Sequence, residues 1–403
     1  MTSSAHSTDE KIRTLKANRD TTGLPCVLAA YRTLSLRSRS HSLTVITETG
    51  NEQIAKLTDM DSSNVKKLPA VHTLFVWDFD WTIVNCNSDE YVPSQFLGDK
   101  LVTEKYCNGM KDENFGPTRW HECVSAVISS CLEETECTKQ DLCEAAASMP
   151  FLIDVVGALR DVDEVKVGKK CGQAIISDGN DLFITEFLKR NGMEDYFTHG
   201  IETNTGIWET IDCHGKNDIF AGNTNAFETR FGGEKLRIVY QSAKFGGHSC
   251  LSCPPNLCKS QALRDILDRS DQHTLGDGEQ AITVRPRIVY IGDGSNDACP
   301  ALHVLRDNDI LLARGGRRRR DPNSLSGPTP DEDSSEGHGC HNFHPDKHVD
   351  EFESHISGAF PILSTLRKSK LRDGLVPKCT VCVWRSGRQL RSLVRQILDD
   401  TIS

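Results

Sequence analysis

Three short apolar runs punctuate the chain: Leu74-Phe75-Val76-Trp77, Ala174-Ile175-Ile176 and Ile288-Val289-Tyr290-Ile291. Each is bounded too tightly for a buried helix and reads as a strand covered on both faces. Each also ends abruptly in polar residues: Asp78-Phe79-Asp80, Ser177-Asp178-Gly179-Asn180, and Gly292-Asp293-Gly294-Ser295-Asn296-Asp297. Apolar strands that run out into carboxylates and hydroxyls mark the carboxyl edge of a parallel α/β sheet, where ligands bind. Two later runs, Ile310-Leu311-Leu312-Ala313 and Val381-Cys382-Val383-Trp384, are expected to add edge strands.

Between the first and second runs the period changes from strand-like to helical. Leu152, Val155, Val156 and Leu159 fall at i, i+3, i+4 and i+7, one helical face. Pro150 suits the first turn of that helix and Ser148 a cap before it. A second helix is predicted over Trp120 to Glu134. The predicted architecture is α/β, a three-layer, Rossmann-like core on a mainly parallel sheet. A helical cap, residues 88–165, is inserted after the first strand. The core spans 70–313 and is completed by a C-terminal strand and helix within 359–403.

Two stretches break the pattern. Residues 1–69 form a tail whose first 46 residues hold fourteen Ser or Thr, seven Lys or Arg and three acids, without periodicity. It reads as a plain disordered extension or as a transit segment, so the expected compartment is the cytoplasm, with mitochondrion or plastid as the alternative. Residues 314–358 carry Arg317 to Arg320, then Pro322, Pro328 and Pro330, an acidic Ser-rich patch and then His338, His341, His344 and His348. Blocky charge and low hydrophobicity predict a disordered insertion, with a nuclear signal or an anion patch as the sharper reading of the arginines. Composition agrees: hydrophobic residues are 37% and 30 Gly bring the total to roughly 44%, just under the usual ~45–50%.

The net charge of −10 argues against a general nucleic-acid binder. No apolar run is long enough to span a membrane. Sixteen Cys in 403 residues is too sparse for a disulfide scaffold, so free thiols are expected. His248, Cys250, Cys253 and Cys258 form a tight group that suits either zinc or simple packing. Cys379 and Cys382, also spaced C-x-x-C, are expected to point to opposite faces of a strand.

The polar clusters suggest one chemistry jointly. Asp78 and Asp80, two apart at a strand end, allow one carboxylate to attack while the other handles protons. Ser177 is placed to donate to a phosphoryl oxygen. Lys259, opening a helix from Ser260 to Arg269, supplies a point charge for phosphate. Asp293 and Asp297 are hard oxygen donors of the sort Mg²⁺ prefers. Together these motifs resemble the haloacid dehalogenase superfamily of phosphohydrolases, and within it the phosphoethanolamine/phosphocholine and pyridoxal-phosphate phosphatase group. The narrower likeness rests on Asp78-Phe-Asp-Trp-Thr-Ile-Val with Asn87-Ser88-Asp89, on Ile176-Ser-Asp-Gly-Asn, on Cys253-Pro-Pro-Asn-Leu-Cys-Lys259, and on Tyr290 through Pro300. It covers roughly residues 70–312 and 359–400.

The resemblance implies a nucleophilic Asp78 that forms an aspartyl-phosphate and an Asp80 that serves as acid and then base. It implies Mg²⁺ held by Asp78, the backbone carbonyl of Asp80, and Asp293, with Asp297 holding a metal-bound water or orienting Lys259. Ser177 and Lys259 would bind the phosphoryl group. Asp89 and Asp178 would face an ammonium head, or else merely cap a helix and shape a turn. Trp81 or Trp120 would add a cation–π contact. The implied substrate is a small phosphate ester, phosphocholine or phosphoethanolamine first, with pyridoxal phosphate and pyrophosphate as alternatives. A catalytically silent binding protein on the same fold is the rival class.

Overall fold

A computed structural model describes residues 71–111, 120–210, 234–241, 248–250, 253–270, 285–316 and 361–399. The expected tail, the four-arginine run and the His-rich stretch lie outside the described residues. The first apolar run forms β1 (Thr73–Trp77). Four helices follow: α1 (Ser88–Leu97), α2 (Asp99–Gly109), α3 (Trp120–Glu134) and α4 (Lys139–Ala147). After α5 (Ile153–Lys169) come β2 (Cys171–Asn180), α6 (Asp181–Arg190), β3 (Ile201–Thr210) and β4 (Glu234–Val239). The chain continues through α7 (Lys259–Ser270), β5 (Arg287–Gly292), α8 (Ala298–His303) and β6 (Ile310–Arg314). It closes with α9 (Pro361–Asp373), β7 (Thr380–Trp384) and α10 (Gly387–Leu398).

The seven strands form one sheet in the order β4-β3-β2-β1-β5-β6-β7. All neighbours pair in parallel except β3 and β4, which are antiparallel. From β1 the chain steps outward to β2 and β3, then returns to lay β5 on the other side of β1. The strand order therefore reverses between β1 and β5, the crevice where open α/β sheets bind ligands. Residue alternation builds the layers. In β1, Phe75 and Trp77 enter one hydrophobic cluster while Leu74 and Val76 enter the other, across the sheet. Cys382 and Cys379 likewise fall in opposite clusters and are buried, as expected for core thiols.

Three expectations need correction. The helix after Pro150 starts at Ile153 with Leu152 as its N-cap, and Ser148 closes α4 instead, its hydroxyl donating to the Ala145 carbonyl at 2.9 Å. Phe151 forms an antiparallel bridge with Val84, and the Asn85 N–H donates to the Pro150 carbonyl at 2.7 Å. Those two contacts compete with helix at this point and delay its start. Second, α5 packs on β2 and α10 rather than with α1–α4, so residue 165 lies inside a helix of the sheet layer. Third, Arg314 is not in the insertion: it ends β6, is 5% exposed, and reaches the Trp81 carbonyl and Asn85 Oδ1. The antiparallel β3–β4 ribbon was not anticipated at all.

Helices α1–α4 do not bury a core of their own. Val92, Val102, Val124 and Ile128 share one cluster with Phe79 and Phe187 of the sheet side. Phe79 and Phe187 meet edge to face, ring centroids 5.6 Å apart. The cap and the turn after β1 are thus seated on the same apolar surface.

Candidate active site

Beyond Trp77 the chain turns back on itself. The Ile83 and Val84 N–H groups both donate to the Phe79 carbonyl, and Trp81 takes φ 57°. That value is uncommon for a residue with a Cβ. The Trp81 N–H donates to the Cys86 carbonyl at 3.0 Å, which fixes the turn, and Arg314 holds its carbonyl from below. The turn leaves Asp78 on the crevice and Asp80 under the start of α1.

Four sequence-predicted residues converge at the β1/β5 crevice. The Lys259 ammonium, fully buried at the first position of α7, donates to Asp78 Oδ1 and to Asp297 Oδ1, each at 2.7 Å. Ligand oxygens of Asp78, Asp293 and Asp297 all lie within 4.8 Å of one another. The Asp297 carboxylate is consumed by protein donors: besides Lys259, the Tyr290 hydroxyl at 2.9 Å and the N–H groups of Asp293 and Gly294 at 3.1 and 2.8 Å. The hydrogen bond from Lys259 ties Asp297 to the lysine. Gly292 is required here, because a Cβ would stand 2.4 Å from Asp297 Cγ.

Electrostatics follow from that crowding. Burial, Asp297 and Asp293 push the Asp78 carboxyl well above its usual range, with Lys259 opposing. Burial pulls the Lys259 ammonium down, but Asp297 and Asp78 more than offset it and hold it well above its ordinary value. Three buried carboxylates share one ammonium, so the donor set fits a further hard cation.

Asp80 sits apart from this group. The Ser88 N–H donates to its Oδ1 at 2.9 Å and the Ser88 hydroxyl to its Oδ2 at 3.2 Å. Burial first, then Asp89, raise the Asp80 carboxyl well above the ordinary value. A raised carboxyl can carry a proton at neutral pH, as a general acid must. Ser177 is buried at the end of β2 and accepts the Gly179 N–H at 3.1 Å. A Cβ on Gly179 would lie 3.4 Å from the Ser177 and Ser88 hydroxyls and 3.8 Å from Asp80 Oδ2, which shows how closely these groups gather.

Above them the cap contributes a polar pocket. Asp89 is 4% exposed; its Oδ2 accepts the Trp120 indole N–H at 3.1 Å and its backbone carbonyl accepts the Tyr106 hydroxyl at 2.6 Å. Tyr106 and Trp120 stack with centroids 4.6 Å apart. Burial, with a contribution from Asp178, pushes the Asp89 carboxyl up to about 7, against the Trp120 hydrogen bond. Asp178 accepts the Asn296 amide at 2.9 Å. Asp89 Oδ1 and Asn180 Nδ2 are buried with no other partner, and the Asn180 amide, close to the carboxyl, acts to lower the Asp89 pKa. His121, which burial pulls down to about 4, meets the Asn204 and Asn256 amides at 2.7 Å each.

Tyr290, Ser88, His121, Asn204 and Asn296 were not singled out from the sequence. Ser88, Tyr290 and Asn296 lie inside the motifs that carry the family resemblance, so proximity was the available signal. His121 and Asn204 come from a cap helix and the unforeseen β3, and no local pattern joins them.

An aspartate in the crevice beside a buried lysine, with a second acid held at the cap, on a parallel sheet of this order, is the arrangement that the resemblance to haloacid dehalogenase phosphatases implies, and the chain is a phosphatase by family. The chain belongs to the Putative Phosphatase family, whose model matches residues 73–320. A probable phosphatase phospho2 of Xenopus tropicalis is 28% identical over 244 residues, 60% of this chain and 84% of that protein. Pyridoxal phosphate phosphatase PHOSPHO2 of Bos taurus is 30% identical over 243 residues, 60% and 82% of the two chains. Inorganic pyrophosphatase 2 of Arabidopsis thaliana is 24% identical over 242 residues, 60% and 70% of the two.

Proposed function

We propose that the protein is a Mg²⁺-dependent phosphomonoesterase acting on a small phosphate ester that carries a cationic nitrogen. Asp78 attacks phosphorus in line, the ester P–O bond breaks, and the leaving oxygen takes the proton of Asp80. Asp80, now ionised, removes a proton from the water that cleaves the aspartyl-phosphate and restores Asp78. Ser177 and Lys259 hold the phosphoryl oxygens and offset the charge that develops on them. Mg²⁺ would be held by Asp78, Asp293 and the Asp80 carbonyl, and supplies charge neutralisation at the phosphoryl group when bound. Asp297 keeps Lys259 in place.

The observation that carries the substrate class is Asp89, a buried carboxyl whose Oδ1 meets no cationic donor among the described residues, only the Asn180 amide close by. A substrate ammonium would satisfy it, and the stacked Tyr106–Trp120 pair beside it offers an aromatic face. This favours phosphoethanolamine and phosphocholine over inorganic pyrophosphate, which has no group for that oxygen. Pyridoxal phosphate is the second reading, favoured by the similarity to pyridoxal phosphate phosphatases of Mus musculus and Bos taurus. The test is a turnover screen of the four compounds with and without Mg²⁺. Activity confined to Mg²⁺, lost in Asp78→Asn and reduced ~10²-fold in Ser177→Ala, is expected. Metal-independent turnover sinks the mechanism, and selective turnover of pyrophosphate sinks the substrate class.

A further inference from the structure

A second cluster of ligand atoms lies beside the catalytic crevice and takes no part in the mechanism above. The sulfurs of Cys250, Cys253, Cys258 and Cys299 all lie within 4.8 Å of one another. All four are free thiols. Cys250 and Cys299 are 3.5 Å apart at sulfur, too far for a bond and close to the ~3.8 Å edge of a tetrahedron with Zn–S near 2.3 Å. Three come from one loop, spaced C-x₂-C-x₄-C, and the fourth from α8, 41 residues after Cys258. His248, which the sequence offered as the fourth ligand, turns away: its Nε2 meets the Pro254 carbonyl at 2.8 Å. The Ser260 hydroxyl lies 2.9 Å from the Cys299 sulfur, placed to donate to a thiolate.

We infer that Cys250, Cys253, Cys258 and Cys299 bind one structural zinc ion. Four thiolates without a water position make a closed site, which holds a fold together rather than doing chemistry. Plain packing would leave the thiols scattered, as it does elsewhere in the core: Cys86, Cys123, Cys131 and Cys171 join no such group. Soft sulfur donors in a tetrahedral set select zinc or iron over the magnesium of the crevice.

The position of the site suggests its use. Cys258 immediately precedes Lys259, and Cys299 lies two residues after Asp297. The zinc ligands therefore tie together the two segments whose side chains form the 2.7 Å Lys259–Asp297 contact. Zinc at this point is a staple that presets the phosphate-binding lysine. Because such binding energy is folding energy, its loss loosens the loop that carries Lys259.

Elemental analysis of the full-length protein, purified without added zinc and washed with EDTA to strip magnesium, provides the test. About one zinc per chain is expected. Cys253→Ser and Cys299→Ser should lose that zinc, while Cys382→Ser, a buried thiol outside the group, keeps it. Growth with Co²⁺ should yield a protein with intense thiolate-to-cobalt absorption and tetrahedral visible bands. Iron in place of zinc, no bound metal, or undiminished zinc in Cys299→Ser overturns the assignment. Should both serine variants fail to fold, the wild-type metal content and cobalt spectrum still decide. The readout is metal content, so its outcome is independent of whether the protein turns over a phosphate ester.

Discussion

At Asp78 the proposed attack on phosphorus and folding stability pull in opposite directions. Burial and two neighbouring carboxylates disfavour its ionised form, and Lys259 relieves only part of that strain. Asp78→Asn keeps an acceptor for Lys259 and removes one of the crowded charges. It should abolish turnover yet raise the melting temperature of the magnesium-free protein, and a thermal scan without metal checks this. Asp89 gives a pH signature of its own. Its folded carboxyl titrates at about 7, against an ordinary value of 3.8, so between those values the folded state holds a proton that the unfolded chain has released. Its contribution therefore lowers stability as pH rises from about 4 to about 7. Urea midpoints at pH 5 and pH 7 should fall apart in the wild type and draw together in Asp89→Asn.

The strands and helices divide by how much of their burial is local. Runs such as Ile288–Ile291 are covered on both faces, and uninterrupted apolar sequence reveals them. Strand β3 escapes that test because it buries Thr203 and Asn204, and Asn204 serves the His121 network instead of the core. The fourth cysteine was hidden for a related reason: spacing exposes C-x₂-C-x₄-C, but only the return of β5 beside β1 brings Cys299 to it. Asp78, Lys259 and Asp297 were legible because each sits at a strand end or helix start, where polarity breaks an apolar pattern. Two predictions belong to elements. Gly292→Ala drives a methyl into Asp297, and should cost about 1–3 kcal/mol and displace Lys259, visible as a raised KM. The α5–α10 contact rests on Asp161, which accepts from Arg391 and Arg395. Partial burial pushes Asp161 up, but those two arginines bring it down to about 2. That contribution is complete above about pH 4 and lost as pH falls through 2, so Asp161→Asn should flatten acid unfolding in that window.

At the scale of the whole molecule, one serine couples the cap to the turn after β1. Ser88 opens α1, yet it donates to both oxygens of Asp80, which belongs to the turn after β1. Both hydrogen bonds favour the ionised acid, so Ser88→Ala should raise the Asp80 pKa further and move the alkaline limb of kcat to higher pH. A pH–rate profile of the variant checks the direction. The same two hydrogen bonds have an architectural consequence. The insertion leaves and rejoins the core side by side, at the Val84–Phe151 bridge. The insertion brings hydrogen bonds to Asp80 as well as pocket walls. Grafting another cap onto this sheet would therefore change the rate of bond cleavage together with the choice of substrate, unless a hydroxyl donor is kept where Ser88 stands.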